Sequence, residues 1–204
     1  MSAIHPAQRQ PDAFSGITFP MPNSDMSDEQ FYKFCLLNHE LRIERTPDKH
    51  IIIMPPTNSE TGRQNFNLSV EFGIWNKKHK LGEGFDSSTG FHFPTIGDRS
   101  PDFAWIRAER WAAVPEGERK RFAPIVPDFV VEIRSGDQNI RILRDKMEDY
   151  IADGCRLGWL IDPENRQTHV YAENGDIHTL GFDQALSGGD VLPGFELRLA
   201  DIWD

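Results

Sequence analysis

Two carboxylates and one lysine are the groups in this sequence whose setting invites chemistry. Asp102 follows Pro101 and opens the apolar run Phe103-Ala104-Trp105-Ile106. Glu132 lies inside Pro127-Asp128-Phe129-Val130-Val131-Glu132-Ile133-Arg134. With the period of two of a strand, Phe129, Val131 and Ile133 share one wholly apolar face, and Asp128, Val130, Glu132 and Arg134 share the other. Ionisable groups on a β-branched strand that reads as central are costly to bury unless they pair or hold a metal. Lys146 belongs to the helix that follows. It sits one turn from Leu143 and from Tyr150, on the edge of the apolar stripe, and can lean toward the sheet. Two acids on neighbouring strands plus an amine form a recurrent set for divalent-metal hydrolysis. Hard oxygen ligands hold Mg²⁺ with several waters retained, and Mn²⁺ satisfies the same ligands. The metal polarises a phosphoryl oxygen and acidifies a bound water, while the ammonium orients the nucleophile and steadies developing negative charge.

Each residue alone has a plainer reading. An acid after proline at a strand start is commonly a turn residue, a lysine at a stripe edge can snorkel, and Arg134 can serve only to pair with Glu132 or Asp128. Glu60 occupies the acceptor position of the capping box Thr57-Asn58-Ser59-Glu60 and suits a helix N-terminus. Glu132, inside an apolar strand, has the least structural excuse. Other chemistries fit worse. The seven histidines never fall at metal-ligand spacing, and there is no HExxH, GxSxG, Walker or GxGxxG motif.

The elements that would position these groups can be read in order. Residues 1–25 are expected to form an irregular, Pro-rich tail, followed by one domain over 26–204. Ser27-Asp28-Glu29-Gln30 is a capping box that opens an amphipathic helix. Leu41 to Thr46 and His50 to Met54 form a hairpin whose turn is pre-set by Pro47. A long helix runs from the second capping box to about Lys78. Its apolar residues (Phe66, Leu68, Val70, Phe72, Ile74 and Trp75) cover more than one stripe, which predicts a mostly buried helix. Strands are expected over Phe85 to Phe93 and Asp102 to Ile106, with short surface helices over Ala108 to Phe122. After the central strand and helix come strands at Leu157 to Ile161, Thr168 to Tyr171, Ile177 to Phe182 and Phe195 to Leu199. This order indicates a mixed α/β domain around one sheet.

The 204 residues suffice for one domain with a sizeable core. The longest aliphatic run, Ile51 to Met54, is far short of a membrane span, and the first 25 residues show no secretory h-region. Cys35 and Cys155 lie far apart and read as core thiols of a reducing compartment, so a cytoplasmic location is the expectation. A net charge of -10 argues against nonspecific coating of nucleic acid. It leaves room for an enzyme that engages DNA locally.

At these residues the chain resembles the Uma-two family of restriction-endonuclease-like proteins. The resemblance rests on Met54-Pro55-Pro56-Thr57, Ser100-Pro101-Asp102, Pro127 to Ser135, Lys146 to Tyr150 and Gly158-Trp159-Leu160-Ile161-Asp162-Pro163, in that order. It covers roughly Phe31 to Trp203. It implies the PD-(D/E)XK nuclease fold, a mixed central sheet flanked by helices, here with an extra N-terminal hairpin and C-terminal strands. It further implies Asp102 and Glu132 as metal ligands, Glu60 as the acid at the start of the first core helix, and Lys146 as the amine. The lysine that usually follows the second acid by two residues is replaced by Arg134, which is expected to contact the scissile phosphate or lock Glu132. The expected function is a Mg²⁺-dependent endonuclease on DNA, with a homodimer as in related nucleases. The alternative is a catalytically inactive nuclease fold used as a binding or regulatory module.

Overall fold

Glu132 sits within a six-stranded sheet that described elements cover on both faces. The computed structural model describes residues 17–19, 26–136 and 138–203; the other residues of the expected N-terminal tail lie outside this set. Within that tail, Ile17–Phe19 forms strand β1 on the edge of β3. Helix α1 (Asp28–Leu37) starts at Ser27 with both bonds of the capping box in place. Strands β2 (Arg42–Arg45) and β3 (Ile51–Met54) form the expected hairpin. Helix α2 covers Ser59–His79. Then come β4 (Gly82–Asp86), β5 (Phe91–Phe93), β6 (Gly97–Arg99) and β7 (Phe103–Arg107).

The remainder comprises short helices α3 (Ala108–Ala113) and α4 (Glu116–Arg119), strand β8 (Phe129–Ile133) and helix α5 (Ile140–Ala152). Strands β9 (Leu157–Asp162), β10 (Gln167–Ala172), β11 (Ile177–Gly181), β12 (Ala185–Ser187) and β13 (Glu196–Arg198) follow, and α6 (Ala200–Trp203) ends the described chain.

The six-stranded sheet has the order β11-β10-β9-β8-β7-β4. Its one parallel pair, β8 with β9, is joined by α5 as a crossover. A second sheet, β1-β3-β2-β6-β5, carries the N-terminal hairpin. The alternation of β8 holds as expected. Phe129, Val131 and Ile133 enter one core with Leu68, Phe72 and Trp75 of α2 and with the C-terminal layer. Val130, on the face of Glu132, enters another core with Leu143, Met147 and Tyr150 of α5. Helices therefore flank the sheet, α2 on one side and α5 on the other.

Three local expectations are corrected. The stretch Phe85 to Phe93 is not one strand: it divides between the two sheets as β4 and β5, because Asp86 caps a turn through Ser88 and Thr89. Helix α2 is capped by Asn58, whose side chain accepts from the Thr61 N–H, rather than by a box based on Thr57. It is also not mostly buried. Leu68, Phe72 and Trp75 are covered, but Phe66, Val70 and Ile74 are exposed on the opposite face.

Candidate active site

Two close approaches bring the site together. Gly97 has φ +84°, and a Cβ there would lie 2.2 Å from the Arg45 carbonyl oxygen, so only glycine lets β6 lie against β2. A Cβ on Gly158 would lie 2.4 Å from Met147 Cε, so its absence lets α5 settle onto β9. The first contact sets the hairpin beside the Ser100-Pro101-Asp102 turn. The second sets Lys146 over Glu132.

At the centre Lys146 Nζ lies 2.8 Å from Glu132 Oε1 and 3.1 Å from Glu44 Oε1. The Tyr150 hydroxyl donates to the same Glu132 oxygen at 2.8 Å. Glu44 also accepts from the Ser100 N–H at 3.0 Å and has Arg99 at 3.7 Å. Asp102 Oδ2 accepts from the Ile133 N–H at 2.9 Å, immediately beside Glu132 on β8. Arg42 Nη1 donates to Asp102 Oδ1 at 3.0 Å, and its Nη2 to the Ser100 carbonyl.

Charge is divided unevenly over this array. Burial raises the Glu132 carboxyl above its ordinary value, and the neighbouring Asp102 and Glu44 raise it further against the pull of Lys146 and Arg42. Burial works against the Glu44 charge too, but Lys146, Arg99, the Ser100 N–H and Arg42 outweigh it and hold that carboxyl low. Lys146 is likewise desolvated, yet Glu132 and Glu44 keep it cationic. One ammonium thus serves two carboxylates, and Glu132 is the acid left closer to protonation. Burial, then Glu132, pushes the Tyr150 hydroxyl well up, so it remains a donor.

Of the residues expected from sequence, Asp102, Glu132 and Lys146 converge. Glu60 stands on the first turn of α2, which meets the loop after β8 where Thr57 and Thr61 contact the Ser135 hydroxyl at 3.1 and 3.3 Å. Its carboxylate, 60% exposed, is held by Arg63 and Gln64. Arg134 reaches away from Glu132: its guanidinium meets Asp162 at 3.1 Å and Glu164 at 2.5 Å, and donates to the Gln138 carbonyl. Asp128 is buried against the Arg107 N–H and Arg110. Glu44 and Arg42 were not singled out from sequence. The signal at hand is that Arg42 and Glu44 alternate with Leu41 and Ile43, which reads equally as a solvated face.

The profile of the Uma2 family, described as "Putative restriction endonuclease", matches residues 28–200. The chain belongs to the Uma2 family. Its description supports a nuclease function. Among solved structures, this Uma2 chain is similar to "a putative nuclease belonging to DUF820" from Anabaena variabilis, at 21% identity and a TM-score of 0.68, over 80% of this chain and 90% of that one. That likeness carries the restriction endonuclease-like fold. No curated protein matches the chain.

Whether this Uma2 site suits a divalent metal can be judged from its donors. Among the described residues no three His, Cys, Asp or Glu side chains are grouped so as to enclose an ion. Asp102 and Glu132 nevertheless offer carboxylate oxygens only, without thiolate or imidazole, and burial, with Asp102 and Glu44 adding to it, lifts the Glu132 carboxyl. Mg²⁺ is commonly bound through one or two carboxylates with waters and substrate oxygens completing its shell. The donor set fits a hard cation. No helix among the described residues is long and apolar enough to cross a membrane.

Proposed function

We propose that this Uma2 chain is a Mg²⁺-dependent endonuclease, with ligands that Mn²⁺ would also satisfy, that hydrolyses phosphodiester bonds in DNA. The observation that carries the reading is that Asp102, just before β7, accepts from the Ile133 N–H beside Glu132 on β8, while Lys146 is held against Glu132. Asp102 and Glu132 would hold the ion, and Glu60 would join through a water. Bound there, the ion would supply charge to a phosphoryl oxygen and acidify a water.

The remaining chemistry falls to the chain's own groups. Tyr150 fixes Glu132 by donating to Oε1. Lys146 holds an ammonium where the attacking water and the developing negative charge on phosphate would lie. Arg42 is 31% exposed beside Asp102 and can turn its guanidinium to a substrate phosphate. Arg134 acts at one remove, tying the loop that begins the crossover to the end of β9. Two copies, one per strand, would suit a cut through both strands of a duplex.

A second reading, DNA binding without cleavage, draws on Arg134 standing where related nucleases use lysine and being fully engaged elsewhere. Supercoiled plasmid incubated with Mg²⁺ or Mn²⁺, beside Asp102→Ala and Glu132→Ala proteins, decides between them. Cleavage lost in both variants supports the nuclease and its ligands. Equal activity in all three removes this site assignment. A folded parent that retards DNA on a gel without cutting it points to the binding module.

A further inference from the structure

The outer face of α2 is the largest feature that the proposed chemistry leaves unused. Phe66, Val70 and Ile74 recur at every fourth residue, and are 68%, 39% and 61% exposed. Together they form one apolar line along the middle of a 21-residue helix. Gly73 interrupts the same face, although a Cβ there would meet nothing within 4 Å. Glycine inside a helix weakens it, so steric need within this chain does not explain Gly73. A close approach from outside would. Beside the line, a cleft of about 340 Å³ lies between α2 and α6, lined by Phe66, Val70 and Asp201 among others.

We propose that this face pairs with the same face of a second copy, antiparallel, about a two-fold axis near Val70. Charge selects that occupant and that direction. The N-terminal half of the patch carries Glu60 and Asp201 against Arg63, itself 2.5 Å from Glu60, while Glu71 lies at the centre beside Val70. The second half carries Lys77, Lys78 and Lys80. A parallel pair sets like on like. An antiparallel pair about Val70 brings Lys78 and Lys80 to Glu60 of the other copy and sets the net-basic half on the net-acidic one. Lys77 then lies near Arg63, but the helix dipoles align favourably. In such an isologous contact Ile74 of each copy meets the neighbourhood of Phe66 of the other and enters the cleft. The inference rests on α2 and the adjoining α6 and stands apart from any nuclease activity.

Sedimentation of the full chain should reveal a dimer, and Val70→Glu or Ile74→Glu should weaken it roughly 30-fold or more with unchanged circular dichroism. Direction can be read by short bis-maleimide cross-linking in a Cys35→Ser background. Val70→Cys should cross-link to itself, whereas Phe66→Cys should do so only when mixed with Ile74→Cys. A monomer at high protein concentration, a dimer indifferent to both glutamates, or self-linking of Phe66→Cys and Ile74→Cys alike would each overturn the proposal.

Discussion

Glu44 and Glu132 share one ammonium: Lys146 Nζ lies 3.1 Å from the first and 2.8 Å from the second, and both acids are almost wholly buried. Removing one partner of a buried charge pair leaves an uncompensated charge, which costs about 3–5 kcal/mol. Lys146→Met leaves two such carboxylates and should destabilise the protein by at least that range. Glu44→Gln should cost less, because Lys146 keeps Glu132. Urea unfolding of both variants measures the difference, and the reverse order would mean that Glu44 matters more through Ser100 and Arg99 than through Lys146.

Activity should rank by distance from the carboxylate pair. Asp102→Asn and Glu132→Gln should remove plasmid cleavage. Glu60→Gln should lower it only about 10- to 100-fold, the usual effect of a group that orients a metal's surroundings without ligating directly. The Glu60 carboxylate points to Arg63 and Gln64. Initial rates at saturating Mg²⁺ test this order, and a complete loss in Glu60→Gln would promote it to a direct ligand.

Arg134 should prove a matter of stability. Asp162 is 1% exposed and depends on Arg134 and on Asn165 for its hydrogen bonds. Arg134→Ala should therefore cost about 1–3 kcal/mol through an unsatisfied buried acid. Arg134→Lys keeps the charge but loses the fork that spans Asp162, Glu164 and the Gln138 carbonyl, so it should recover part of that cost. Thermal melts of the two proteins give the comparison. If Arg134→Lys instead raised cleavage without changing the melt, the residue would belong to the chemistry.

These contrasts follow what could be read from sequence. The capping box at Ser27, the hairpin turn at Pro47 and the alternation of β8 are local patterns, and local patterns fix local structure. Lys146 was reachable because α5 follows β8 directly and its stripe sets which edge faces the sheet. Glu44 lies 102 residues from Lys146, and it meets Lys146 and the Ser100 N–H only through tertiary structure. In sequence, Arg42 and Glu44 look like an ordinary wet face. For α2, the count of apolar residues hid which stripe was covered, because burial depends on the C-terminal layer that packs on one side only. The turn residues Ser87 to Gly90 carried the signal that divides β4 from β5, and the surrounding aromatics outweighed it.

The two close approaches make unequal predictions. At Gly97 an added Cβ meets backbone, the Arg45 carbonyl, in a left-handed conformation. Gly97→Ala should cost several kcal/mol, since strain of about 1–3 kcal/mol adds to a clash that cannot relax. At Gly158 the obstacle is the flexible end of Met147, so Gly158→Ala should cost about 1–3 kcal/mol while shifting α5. Because that shift carries Lys146, Gly158→Ala should lose activity out of proportion to its loss of stability. Chemical denaturation with cleavage rates on the same samples checks both halves.

Two histidines should bend the stability profile in opposite directions. His92 is raised above its ordinary 6.5 by its hydrogen bond to Asp98, at 2.9 Å, against partial burial. Its folded form holds the proton more tightly than its unfolded form. Its contribution is therefore fully present below pH 6.5 and is lost as pH rises from there through the folded value. His169 is lowered by burial and then by Arg144, 3.1 Å from its Nε2. It stays neutral in the fold, so it costs stability as pH falls below 6.5 toward the folded value. Unfolding free energies across pH 5 to 8 should thus lose slope above 6.5 in His92→Gln and below 6.5 in His169→Gln. The same slope change in both variants would mean that neither histidine titrates as its neighbours dictate.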